Sequence, residues 1–102
     1  MIVGDANCRP ADPPGREIYQ VTLTGRGHGR FGIPSGYSGT SMAAAHVSAA
    51  VALVIVSGVL GPHPTPQALE QRLKHTARDL GPPSYDTRYG WGLIDAAAAT
   101  AP

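Results

Sequence analysis

The sequence predicts an α/β chain, and three stretches carry that expectation. Residues 17–23 alternate, with Tyr19, Val21 and Leu23 on one face and Ile18, Gln20 and Thr22 on the other. That period of two describes a short strand. Residues 41–57 are apolar nearly all round, the pattern of a buried helix. Residues 65–80 carry the start, stripe and stop signals of a second helix.

The elements follow in order. Residues 4–16 read as a loop punctuated by Gly4, Pro10, Pro13, Pro14 and Gly15. After the strand, residues 24–36 hold five glycines and one proline and are expected to form a flexible loop. Helix 41–57 contains Met42, Ala43, Ala44, Ala45 and Val47, then an apolar run from Ala49 to Val56 that Ser57-Gly58 ends. Its alanines would let neighbouring backbones come close. In the second helix Thr65 can cap the N-terminus and Pro66 fits the first helical position. Leu69, Leu73, Ala77 and Leu80 make one stripe, Glu70 and Lys74 form an i,i+4 pair, and Gly81-Pro82-Pro83 stops the helix. Asp95 can cap a last short helix over 96–99.

Composition narrows the function classes. A chain of 102 residues holds one small domain. Eight basic residues against seven acidic ones, with no polybasic cluster, point to neither nucleic acid nor an anionic membrane surface. Cys8 is the single cysteine, so the chain has no intramolecular disulfide and no cysteine-built metal site. No histidine pair has metal-ligand spacing, and no cofactor is expected. The first residues, Met1-Ile2-Val3-Gly4-Asp5, lack the charged leader and apolar core of a signal peptide. Localisation is therefore left open.

A helix apolar on every side must be surrounded, yet one strand and two modest helices are all that could surround it. Small chains bury a low fraction of their surface. The sequence therefore reads as a piece of a larger core. A bilayer is the other medium for such a helix, since residues 42–60 hold 15 apolar residues of 19. His46, Ser48, Ser57 and Gly58 interrupt that run, alanine is weakly hydrophobic, and no basic residue flanks it closely. A protein core is the expected surrounding, and no membrane.

The chemistry concentrates in Ser38-Gly39-Thr40-Ser41-Met42. Glycine allows a tight backbone turn. A helix starting at Ser41 points free N–H groups and a positive dipole end at any oxyanion formed there. A serine nucleophile also needs a base, and no convincing one is present. His46 lies five residues on, and at 100° per residue the two side chains diverge by about 140°. His46 is expected to be a buried, satisfied histidine that supports the serine turn. His28 reads as a solvated loop residue, and His63 and His75 as surface residues. Asp5, Asp79 and Asp86 read as turn or cap residues.

Gly39-Thr40-Ser41-Met42-Ala43, followed by His46-Val47, resembles the serine box of the subtilisin-like serine peptidases, the subtilases. Tyr89-Gly90-Trp91-Gly92-Leu93-Ile94-Asp95-Ala96 is similar to that family's C-terminal segment. The resemblance covers roughly residues 17–100, leaving 1–16 as the loop. It implies that Ser41 is the nucleophile of a serine endopeptidase acting on peptide or protein substrates. It also implies that the fold is the C-terminal part of a doubly wound, mainly parallel sheet, with 41–57 as its buried central helix. Two positions depart from the family pattern: Ala45 stands where proline is usual and Ala49 where glycine is usual. The family's aspartate box, its His-Gly-Thr-His box and its oxyanion asparagine are absent, and they normally lie upstream of the serine box. The chain thus resembles the last third of the catalytic domain and is expected to be inactive without the N-terminal part. Structural calcium and secretion are both common in the family, but no calcium site can be placed on these residues.

Overall fold

A computed structural model of the chain describes residues 18–24, 26–27, 29–33, 36–37 and 39–102. The expected loop at 4–16, Asp5, Cys8 and His28 lie outside the described residues.

The predicted strand is two strands. β1 (Ile18–Tyr19) and β2 (Thr22–Thr24) are separated at Gln20-Val21. The stretch expected to be wholly loop supplies their partners, β3 (Arg30–Gly32) and β4 (Gly36–Tyr37). β1 pairs with β4, placing Ile18 opposite Tyr37, and β2 pairs with β3, placing Leu23 opposite Phe31. Both pairs are antiparallel. No parallel pairing occurs among the described residues, in contrast to the expected doubly wound sheet. A glycine-rich linker does not forbid pairing. It permits the turn at Arg26-Gly27 that brings β3 back onto β2.

α1 (Thr40–Ser57) occupies the predicted range. Gly58 closes it in the left-handed conformation, donating its N–H to the Ile55 carbonyl. The helix is not the buried central helix that its composition predicts. Ala43, Ala50 and Val54 are buried, while Leu53, Ile55 and Val56 stand exposed. The buried set recurs at i, i+7 and i+11, one stripe of the helix. α3 (Ala96–Thr100) packs on α1 and buries Ala99, and α2 (Pro66–Thr76) touches α1 more lightly. The sequence read the composition of α1 correctly. The described chain holds too little structure to cover it.

α2 is closed by local devices. The Thr65 side chain accepts a hydrogen bond from the Ala68 N–H at 3.2 Å, and Glu70 pairs with Lys74. The helix ends at Thr76, short of the predicted residue 80. Ala77 turns extended, and Arg78 then forms a two-way antiparallel bridge with Leu93, with N···O distances of 2.7 and 2.8 Å. That tertiary bond replaces the last helical turn. The Arg72 guanidinium donates to the carbonyls of Ala98, Ala99 and Ala101 and so satisfies the free C-terminal end of α3. At the other end of α3 the Asp95 carboxylate accepts from the Ala98 N–H at 2.9 Å, the predicted cap.

Candidate functional site

Ser41 is the second residue of α1 and is exposed. Gly39, the N-cap, has φ 141° and ψ 174°, a backbone state that side chains rarely tolerate. No side chain caps the helix start. The first intrahelical bond runs from the Ala43 N–H to the Gly39 carbonyl at 3.2 Å. The N–H groups ahead of Ala43, that of Ser41 included, therefore have no intrahelical acceptor. The turn presents a hydroxyl beside free amides at a positive helix end, the arrangement an acyl-transfer nucleophile requires.

His46 does not reach Ser41. Its Nδ1 lies 2.7 Å from the Met42 carbonyl oxygen, one turn back along the same helix. A carbonyl can only accept, so Nδ1 carries the proton in that bond. The ring is satisfied, as expected, but it is exposed rather than buried. Thr40 is exposed, and Met42 is half-buried beneath the turn. Among the described residues, no hydrogen-bond partner attaches to the Ser41 hydroxyl, and no histidine or carboxylate is placed to accept its proton.

The remaining candidates have structural occupations. His63 and His75 are exposed. Asp79 accepts from the Ser84 N–H at 2.7 Å. One oxygen of Asp86 accepts from the N–H groups of Arg88 and Tyr89, at 2.7 and 2.8 Å. Its other oxygen is buried without a partner. The described residues contain no group of three or more His, Cys, Asp or Glu that could hold a metal ion.

One feature escaped the sequence. A cleft of about 300 Å³ lies between α1, α2 and the segment 89–94, walled by Val47, Leu73, Ala77, Trp91 and Ile94, with Glu70 and Lys74 beside it. Trp91 is clamped by a tilted contact with Tyr85 at 5.4 Å and by the Lys74 ammonium at 5.2 Å. The Leu69–Leu80 stripe and the Tyr-Gly-Trp-Gly segment were each visible as patterns. Their meeting depends on the Arg78–Leu93 bridge, which joins residues distant in the chain.

α1 is also long and apolar enough to cross a membrane by length and composition, with mean hydropathy 1.8 and 17% of that window buried. The same properties describe a core helix whose surroundings are incomplete.

The model of the subtilase family matches residues 16–92, most of the chain and all of the Ser41 turn. No curated protein matches, and no solved structure matches.

Proposed function

The chain belongs to the subtilase family of serine peptidases, and on that premise we propose that Ser41 is the nucleophile of a serine endopeptidase. The observation that carries this reading is the Ser41 turn itself. An exposed serine stands second in α1, two residues after a glycine held at φ 141°, inside the segment the family model matches. Ser41 Oγ would attack the carbonyl carbon of a peptide bond while a base takes its proton. The Ser41 N–H would stabilise the oxyanion. The base would then protonate the leaving amine, and water would release the acyl group.

The base, the aspartate that orients it and a side-chain oxyanion donor come, in this reading, from a polypeptide segment other than these 102 residues. His46 is not the base in this reading, because at 100° per residue its side chain diverges from that of Ser41 by about 140°. The complete domain would then contain the doubly wound parallel sheet, with α1 inside it. A partner-dependent piece without catalysis of its own is the second reading, favoured by the exposure of α1.

The test uses the purified chain with a fluorophosphonate probe and a chromogenic peptide. The chain alone is expected to show neither rapid labelling of Ser41 nor turnover. Fast turnover abolished by Ser41→Ala would show that a base within the chain had been overlooked.

A further inference from the structure

We propose that the cleft between α1, α2 and the segment 89–94 binds a small organic acid, one carboxylate on an aromatic or short aliphatic body. The inference is independent of the nucleophile reading, since neither Ser41 nor its turn lines this cleft.

Shape and lining identify the body of the ligand. The cleft holds about 300 Å³, and the walls made by Val47, Leu73, Ala77, Trp91 and Ile94 are apolar. Small-molecule sites have this character, a concave apolar chamber with a few polar groups that fix orientation. Trp91 is 47% exposed, so the chamber opens to water beside an indole. The walls stand in place without a ligand. The Arg78–Leu93 bridge, with N···O distances of 2.7 and 2.8 Å, ties the segment that carries Trp91 to the end of α2. The tilted contact with Tyr85 at 5.4 Å holds the indole itself. Gly90 and Gly92, on either side of Trp91 in the lining, bring no side chain to fill the space. A Cβ at Gly90 would meet nothing within 4 Å.

Charge identifies the polar end. Glu70 and Lys74 are the charged residues of the lining, and they are not equivalent. The Lys74 side chain is 27% exposed and that of Glu70 60% exposed. The Lys74 ammonium lies 5.2 Å from the centre of the Trp91 ring, against the wall, while Glu70 stands further into water. An ammonium has three donors. Glu70 takes one of them, and no other acceptor among the described residues is bonded to it. A ligand carboxylate seated there gains a charge-assisted hydrogen bond, while its apolar body covers Trp91 and the aliphatic walls. A ligand amine would meet Lys74 and be repelled by it. A neutral ligand would gain only the apolar contact.

The experiment titrates the full chain with phenylbutyrate, and in parallel with phenylbutanol and phenylbutylamine, which keep the body and change the charge. Trp91 is the sole tryptophan, so its emission reports on the cleft, and calorimetry gives the affinity. Circular dichroism checks that each variant keeps its helices. The expected result is saturable one-to-one binding of phenylbutyrate, with a dissociation constant of about 1 mM or tighter. Lys74→Gln should weaken it at least tenfold, and Lys74→Arg should retain it. Glu70→Gln should bind at least as tightly, because a competing carboxylate is gone. Ala77→Phe should abolish binding by filling the chamber, and Val56→Lys, on the open side of α1, should leave it unchanged.

A titration that does not saturate overturns the proposal, and so does equal binding of the alcohol or the amine. Retained binding in Ala77→Phe, or loss in Val56→Lys, would place the ligand elsewhere and overturn it too. A loss in Glu70→Gln as large as that in Lys74→Gln would assign the effect to the ion pair as a support of α2, and the carboxylate site would be wrong.

Discussion

α1 and α2 show two ways a sequence can make a helix. α2 has a side-chain cap, an ion pair, a stripe of leucines on one side and polar residues on the other. It would be recognisable in almost any context. α1 has no side-chain cap, no ion pair and no polar side, and only three of its residues are buried. Every feature that stabilises α2 lies within it or in the segment that folds back on it. Among the described residues, α3 and α2 cover only one stripe of α1. The difference separates a helix closed by its own residues from one whose apolar surface stays largely open.

The largest expected effect is at the joint that serves α2. Gly92 has φ 105°, and a Cβ there would lie 2.2 Å from the Arg78 carbonyl oxygen. No side chain fits without breaking the Arg78–Leu93 bridge. Gly92→Ala should cost more than about 3 kcal/mol, combining overpacking with strain at positive φ. The urea midpoint followed by circular dichroism should fall accordingly. An unchanged midpoint would mean that this bridge does not organise the C-terminal half.

A smaller effect separates the two sides of α1. Val54 is fully buried, whereas Val56 is 85% exposed. Val54→Ala should destabilise the chain by about 2 kcal/mol, and Val56→Ala by less than about 0.5 kcal/mol. If Val56→Ala is as costly as Val54→Ala, that face of α1 is already covered in solution, and the contrast between the helices fails.

A loss smaller than that at Val54 tests the local devices of α2. Thr65→Ala removes the acceptor for the Ala68 N–H and should cost about 1 kcal/mol. Restoration by Thr65→Ser or Thr65→Asp in the same urea titration would attribute the loss to the cap. A loss that neither restores would place it in packing around residue 65.

Local chemistry made the helices and their caps legible. Thr65, Pro66, Gly58 and Asp95 act through bonds that reach no more than four residues, so sequence order alone reveals them. The Ser41 turn was legible for the same reason, because Gly39 and the helix start are adjacent to it. β3 and β4 were missed because glycine spacing describes what a backbone can do, not which strand it meets. The end of α2 was misplaced by four residues because Leu93, fifteen positions beyond Arg78, captures the Arg78 backbone. The burial of α1 and His46 was misjudged because composition states what a side chain prefers and cannot supply the neighbours.

By itself, then, the sequence determined the Ser41 turn, the helix starts and the family to which the chain belongs, all set by contiguous residues. The tertiary structure alone decided that Arg78 bonds Leu93, that Trp91 closes a cleft against α2, and that α1 offers one stripe to α3 while its opposite face stays open from Ser41 to Val56. The physical reason is range. Caps and turns are settled by bonds within one helical turn, whereas burial is settled by whichever distant surface arrives to exclude water.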